Sequence, residues 1–245
     1  MTYTFIADFR KLDINISLKE QENLKEMGVG VCEYGKNGVI RLSDEVMERI
    51  LSTKSERLKR ERMAAYLLAA EATKKIIGID PDFIWIENNK KPCLKDSPYN
   101  ISISHSSDIV AFSIRDELHI GVDVEAGVLP EKAKRLEKRY FSEIDFNYMR
   151  LNVSYFFSEF SENSTLTFGK ITDINSRVSD DIFLFKANYS EDFTCKWCLY
   201  EAAIKCGKGF CFNKSQNKTL LLSIRSDVKK IKVKDNIFYI ATVSE

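Results

Sequence analysis

The chain has 245 residues, 44% hydrophobic and 30% charged, long enough for one large domain or two small ones around a buried core. Its 37 Lys and Arg against 36 Asp and Glu argue against a general nucleic-acid binder, which would be more basic. It has no long apolar run, and its start, Met1-Thr2-Tyr3-Thr4-Phe5, lacks a signal-peptide pattern, so no membrane association and a cytoplasmic location are expected.

Residues 3–9 read as a β-strand. From Ser55, the apolar positions Leu58, Met63, Tyr66, Leu67, Ala70 and Ile77 recur at helical spacing until Gly78 stops the run. Pro81 precedes a strand over 83–86, a polar turn over 88–91 and Pro92. Short strands at 101–104 and 109–114 flank a turn at Ser106-Ser107-Asp108, and 115–118 reads as a polar linker. The next strand, 119–125, places Ile120, Val122 and Val124 on one face and His119, Gly121, Asp123 and Glu125 on the other. Pro130 opens a helix to 139, and Phe141-Ser142-Glu143 looks like the start of another. Residues 193–206 are helical up to Gly207, and strands at 220–224, 229–233 and 238–243 close the chain.

Strand, long helix and strand (3–9, 55–77, 109–114) thus recur as 119–125, 193–206 and 238–243, at offsets of roughly 115 to 135 residues. The fold class expected is α+β, with halves 1–116 and 117–245 in pseudo-twofold relation and a site between them. Residues 151–192, rich in Ser, Asn and aromatics, fit neither half and read as an insertion.

Two basic runs, 54–62 and 132–139, are either solvated helix faces or local docks for acidic partners. Cys195-Lys196-Trp197-Cys198, with Cys206 and Cys211, is spaced too tightly for common zinc modules and lacks the strand and turn of a redox motif, so small core residues are expected.

Asp123 and Glu125, at i and i+2 on a strand, point the same way. Like charges so close raise each other's proton affinity unless a cation holds them, and hard oxygen ligands in small number suit Mg²⁺. The plain alternative is the solvated face of an edge strand. Glu201 and Lys205, at i and i+4, share a helix face with Trp197, either as a surface ion pair or as a third acid and a phosphate-facing cation. Were that helix to pack beside the Asp123 strand, metal, cation and base for phosphoryl transfer would meet. His105, between Ser104 and Ser106, is either structural or a donor to phosphate. A Ser/His/Asp triad is disfavoured, because Ser104 and His105 are adjacent on a strand and point apart.

Together these segments resemble the 4′-phosphopantetheinyl transferases of the surfactin-synthetase-activating type. The matching pieces come in family order: Lys91-Pro92, Ser102-Ile103-Ser104-His105-Ser106, Gly121-Val122-Asp123-Val124-Glu125, and Arg139-Tyr140-Phe141-Ser142-Glu143. Phe193 through Trp197, Glu201-Ala202 and Lys205 to Gly207-Lys208-Gly209 complete the set. The likeness spans about 57–210, and the final strands fit by pattern only. It implies an intramolecular pseudo-dimer that binds coenzyme A with Mg²⁺, or Mn²⁺, in the cleft between its halves. Such an enzyme moves the phosphopantetheine arm to a serine of an acidic apo carrier protein and releases adenosine 3′,5′-bisphosphate. By position, Asp123, Glu125 and Glu201 would bind the metal, with Glu201 also the base, directly or through water. Lys205 would contact the pyrophosphate. Lys91, Ser104 and His105, helped by Arg62, would hold the nucleotide phosphates, and the 132–139 helix would dock the carrier. A monomer is expected.

Two departures stand out. The family usually carries Lys before the helix glutamate, where this chain has Tyr200, and the 151–192 insertion is longer than usual. Tyr200 favours a rival reading, a catalytically weak relative that binds coenzyme A or carrier without efficient transfer. A metal-dependent nuclease is the third reading, but Glu125-Ala126-Gly127 lacks the lysine two residues after the glutamate that such sites tend to carry.

Overall fold

A computed structural model describes residues 2–8, 29–34, 38–78, 80–86, 91–116, 119–141, 144–145, 152–155, 169–171, 189–207, 210–213, 218–221, 225–233 and 236–244. These residues form a mixed α+β structure. In the first of the two main sheets, each of four strands, β1 (Thr2–Asp8) pairs antiparallel with β7 (Ile109–Asp116), and β7 with β6 (Tyr99–Ser106). In the second, β8 (Ile120–Ala126) pairs antiparallel with β15 (Asn236–Ser244), and β15 with β14 (Arg225–Val233). The fourth strands are β11 (Gly169–Ile171) beside β1 and β10 (Asn152–Tyr155) beside β14, so that β6 and β8 each lie at a sheet edge.

Two further sheets, one of four strands and one of three, are present among the described residues. One joins β2 (Val29–Tyr34), β3 (Gly38–Ser43), β4 (Asp82–Ile86) and β5 (Lys91–Leu94). The other joins β12 (Phe210–Asn213), β13 (Lys218–Leu221) and β9 (Ile144–Asp145). The helices are α1 (Asp44–Leu51), α2 (Glu56–Ile77), α3 (Pro130–Tyr140) and α4 (Tyr189–Cys206). Ser43 and Ser55 cap α1 and α2 by accepting from Val46 N and Leu58 N, and Gly78 ends α2 in the left-handed region at φ 84°. Among the described residues no helix is long and apolar enough to cross a membrane.

Strand parity sets the layers. Phe5 and Ala7 of β1 and Val110, Phe112 and Ile114 of β7 share a core with the buried face of α2. Their neighbours Ile6, Ile109 and Ala111 face the other way, against Val122 and Val124 of β8 and Phe238 and Ile240 of β15. Tyr239, Ala241 and Val243 of β15 pack on Leu199, Ala202 and Ala203 of α4. The order is therefore helix, sheet, sheet, helix. Each large apolar side chain buried between the sheets is worth roughly 1.5–3 kcal/mol. Inside that apolar layer, Thr4 Oγ1 lies 2.7 Å from Ser113 Oγ and 3.2 Å from Thr242 Oγ1, so the buried hydroxyls satisfy one another.

The edges of β6 and β8 are joined by side chains. Val122 N donates to Ser102 Oγ at 2.9 Å, Val124 N to Ser104 Oγ at 3.3 Å and Ala126 N to Ser106 Oγ at 3.2 Å. The alternation of Ile101-Ser102-Ile103-Ser104-His105-Ser106 thus presents three hydroxyls to the free N–H groups of β8, groups that would otherwise be costly to bury.

Several sequence expectations are corrected. Arg115 and Asp116 complete β7 instead of opening a linker, because Arg115 pairs with Thr2 and Asn100. Phe141 closes α3, its N–H bonded to Glu137 O, and does not begin a helix; Ile144–Asp145 is a strand paired with β13. The reading of 151–192 as an insertion is unaffected by these corrections: within it, β10 and β11 add an outer strand to each main sheet. Helix α1 and strands β2, β3 and β5 were not expected. The turn residues 88–90, Ser142-Glu143, Lys208-Gly209 and 222–224 lie outside the described residues, as does the rest of 151–192 up to Tyr189.

Removing one tooth of the serine comb should be costly. Ser102 is 5% exposed, and Ser102→Ala leaves Val122 N without its acceptor. We expect a loss of about 1–3 kcal/mol in urea unfolding, with faster amide exchange at Val122.

Candidate active site

Helix α4 lies against β8 so closely that a Cβ on Gly121 would stand 1.9 Å from Ala202 O and 2.6 Å from Cys206 N. Only glycine permits that approach. Two residues on, Asp123 therefore sits beneath the last turns of α4. Cys198 Sγ lies 3.2 Å from both Asp123 O and Tyr239 O, fastening helix to sheet from inside. Burial, with Asp123 and Glu125 adding to it, pushes the Cys198 thiol well up, so it stays protonated as a donor. Cys195, Cys198 and Cys206 are buried core residues.

Asp123 is 4% exposed, which rules out the solvated-edge alternative for this residue. Its Oδ1 accepts from Lys205 Nζ at 2.7 Å and from Ser104 Oγ at 2.8 Å. Ser104 Oγ also accepts from Lys205 Nζ at 3.0 Å, so its donor and both lone pairs are engaged. Asp123 Oδ2 is buried with no hydrogen-bond partner. Such an atom fits a cation, because an unmatched carboxylate oxygen is expensive to bury.

The neighbouring acids hold their protons more tightly than a solvated carboxylate does. Glu125 is pushed up to about 7 by burial and by the Asp123 charge, against the pull of Lys132, a hydrogen bond from Trp197 and Lys205. Ser106 Oγ stands 3.5 Å from Glu125 Oε2. Glu201 is raised by burial and by Asp123, with Lys205 opposing. Three hard-oxygen donors holding surplus negative charge suit Mg²⁺ by chemistry. Even so, among the described residues no group of three or more His, Cys, Asp or Glu side chains is already gathered as a metal site.

Beyond Lys205 opens a cavity of about 230 Å³. Arg49, Arg62, Lys91, His105 and Lys205 line it together with Tyr66, Trp85, Pro92 and Ile103, and no acid is among its lining residues. Arg62 Nη1 donates to Arg49 O at 2.7 Å and to Thr53 Oγ1 at 2.5 Å, fixing it across the turn between α1 and α2. The Arg49 guanidinium stacks 3.6 Å over the Trp85 ring. Ser104 and His105 point to opposite faces of β6: Ser104 to Asp123 and Lys205, His105 to α2, where its Nδ1 lies 3.0 Å from Glu61 Oε2.

The structure thus sets Lys205 on Asp123, with Glu125 and Glu201 near enough to feel the Asp123 charge, and places Arg62, Lys91, His105 and Lys205 around the adjoining cavity. Ser104 is linked to both through Lys205. Sequence reasoning missed Arg49, Glu61, Trp85 and the Trp197 bond to Glu125. Tyr200 packs with Tyr140, Phe141 and Trp197, at centroid distances of 6.2, 5.4 and 5.8 Å. Its hydroxyl is raised by burial and by the nearby Glu201 and Tyr140. Compared with known proteins, the chain matches no family model and no curated protein.

Burial of Glu125 beside the Asp123 charge has a measurable consequence. Its proton affinity is higher folded than unfolded, so its contribution to stability is present below about 4.5 and lost as pH rises through about 7. Glu125→Gln should therefore be more stable than wild type at pH 8, by about 1–2 kcal/mol after allowance for partial exposure. The two should converge toward pH 4, and millimolar Mg²⁺ should close the gap at pH 8 by stabilising wild type alone. Thermal unfolding across pH, with and without the metal, reads all three.

Proposed function

We propose that the chain is a magnesium-dependent 4′-phosphopantetheinyl transferase, moving the arm of coenzyme A onto a serine of an acidic apo carrier protein. The observation that carries this reading is the junction at Lys205. One ammonium faces both a cluster of acids with a partnerless buried carboxylate oxygen and a basic cavity without acids. A ligand with phosphates in the cavity and a pyrophosphate near the acids satisfies both sets.

In the reaction, the carrier serine oxygen bonds to the phosphorus that bears the pantetheine arm. The bond from that phosphorus to the bridging oxygen breaks, and adenosine 3′,5′-bisphosphate leaves. Lys205 steadies the charge that develops on the pyrophosphate oxygens. Glu201, its proton affinity raised, takes the serine proton directly or through water. Asp123, Glu125 and Glu201 would hold Mg²⁺ or Mn²⁺, which when bound would supply positive charge there. Arg62, Lys91 and His105 hold the nucleotide phosphates, with Ser104 fixing Lys205 between the two regions. The basic helix α3, carrying Lys132, Lys134, Arg135, Lys138 and Arg139, is the dock for the acidic carrier.

The two-halved pseudo-dimer belongs to the same proposal. Its support is the matching strand order: β1-β7-β6 before residue 117 and β8-β15-β14 after it, each antiparallel throughout, with a long helix on each sheet's outer face. A second reading, a weak relative that binds coenzyme A or carrier without efficient transfer, is favoured by Tyr200. Its aromatic packing leaves no cation at that position.

Incubation with coenzyme A, Mg²⁺ and several apo carriers, followed by mass spectrometry, should reveal the added arm. Asp123→Ala and Glu201→Ala should each slow it about a hundredfold or more while the protein stays folded. Near wild-type turnover in either variant would overturn the site assignment, and binding without transfer in wild type would favour the weak relative.

Lys91→Ala should weaken coenzyme A binding about tenfold, since a charge-assisted bond is worth roughly 1.5–3 kcal/mol. Dephospho-coenzyme A, which lacks the 3′-phosphate, should be much less affected. Equal losses for both ligands in calorimetry would place Lys91 away from that phosphate.

A further inference from the structure

Glu61 is an acid buried on the inner face of α2, only 3% exposed, inside a run of charges that otherwise meets solvent. Its two oxygens are both used. Oε1 accepts from Arg57 Nε at 3.0 Å, and Oε2 lies 3.0 Å from His105 Nδ1. Arg57 is mostly exposed and is further tethered to Asp108 at 3.8 Å, so the carboxylate is held from the solvent side and offered inward. A carboxylate accepts only, so the Nδ1 position carries the proton and Nε2 is left for the cavity that His105 lines.

We propose that Glu61 is the positioning residue for His105 and that it couples entry of a phosphate-bearing ligand into the cavity to uptake of one proton by the imidazole. This deepens the nucleotide-site reading above and rests on it. The proton comes from solvent, lands on Nε2 and is donated to a phosphate oxygen, while Nδ1–H stays bonded to Glu61.

The charges around the ring set the direction. From α2 come Glu61 and, across the cavity, Arg62; from α4, Lys205; from β5, Lys91; and from α1, Arg49. Burial holds the His105 ring below the ordinary histidine range and the Lys205 and Arg62 charges add to that, with Glu61 opposing. In the empty cavity the ring is therefore neutral near pH 7. A phosphate dianion offsets the surrounding cations and adds a negative charge beside Nε2, so the protonated form becomes the favoured one. Without Glu61 the ring would have no internal anion to retain its proton, and its orientation would be unfixed. Affinity for the ligand should accordingly fall as pH rises past the titration of the bound-state ring.

The chain has 2 histidines, His105 and His119, so the ring resonances can be assigned with one variant, His119→Gln. The test is an NMR pH titration of the His105 ring in free protein and in protein saturated with coenzyme A. The midpoint should rise on binding. Calorimetry in two buffers of different ionisation enthalpy should register net proton uptake near pH 7. In Glu61→Gln the free midpoint should drop below wild type, the uptake near pH 7 should shrink, and coenzyme A should bind roughly tenfold more weakly. If coenzyme A binds and the free and bound titrations superimpose, the coupling is wrong while the nucleotide site stands. If coenzyme A does not bind at all, the nucleotide-site reading falls and the coupling with it. An unchanged free midpoint in folded Glu61→Gln would remove Glu61 from the role. The wild-type comparison needs no variant, so the coupling is decided even where Glu61→Gln fails to fold.

Discussion

Three serine hydroxyls spaced two residues apart replace a backbone ladder between two sheets that would otherwise end in bare edges. The offset between each serine and the N–H it accepts is constant, from 102 to 122, 104 to 124 and 106 to 126, so β6 and β8 run in the same direction without pairing. A side chain reaches farther than a carbonyl, and the extra space leaves room for Asp123 and Lys205 to meet a serine hydroxyl at the seam. Ser104 belongs to the comb and to the site at once. Its position is therefore set by fold stability before any chemistry is asked of it.

The same region also holds unfavourable interactions. Asp123 Oδ2 has no partner, and Glu125 and Glu201 are both raised by burial and by Asp123, offset in part by Lys205 and, at Glu125, by Lys132 and a hydrogen bond from Trp197. Surrounding structure must over-determine such a place for it to persist. The close seat of α4 on Gly121, the Cys198 thiol against two carbonyls and the aromatic group of Phe141, Phe193 and Trp197 do so.

What could be read from the sequence was whatever depends on local period. The two faces of β8 and the shared face of Glu201 and Lys205 follow from spacings of two and four residues, and they place four of the site residues. The burial of Glu61 could not be read that way, because in Lys59-Arg60-Glu61-Arg62 it looks like any solvated charge and its partner, His105, lies 44 residues on. Helix α1 did leave a signal, with Ser43 ahead of two acids and Val46, Met47 and Ile50 on one face, but its eight residues make a short run. Strand β5 hid behind Pro92, a residue tolerated there because β5 is an edge strand. The alternation at Ser102, Ser104 and Ser106 announced a strand, yet the acceptor role of the hydroxyls depends on a second strand that no local pattern names.

The seam also divides the site mechanically. Lys205 and Asp123 travel with α4 and β8, locked by the backbone contact at Gly121, whereas Arg62, Lys91 and His105 travel with α2, β5 and β6. Across that division run the serine comb, the apolar layer between the two sheets and the reach of one lysine to Ser104. A ligand long enough to touch both banks would act as a rivet. Shear between the sheets, otherwise resisted by the apolar layer and the short polar bonds of the seam, would be opposed as well by the ligand's own covalent backbone.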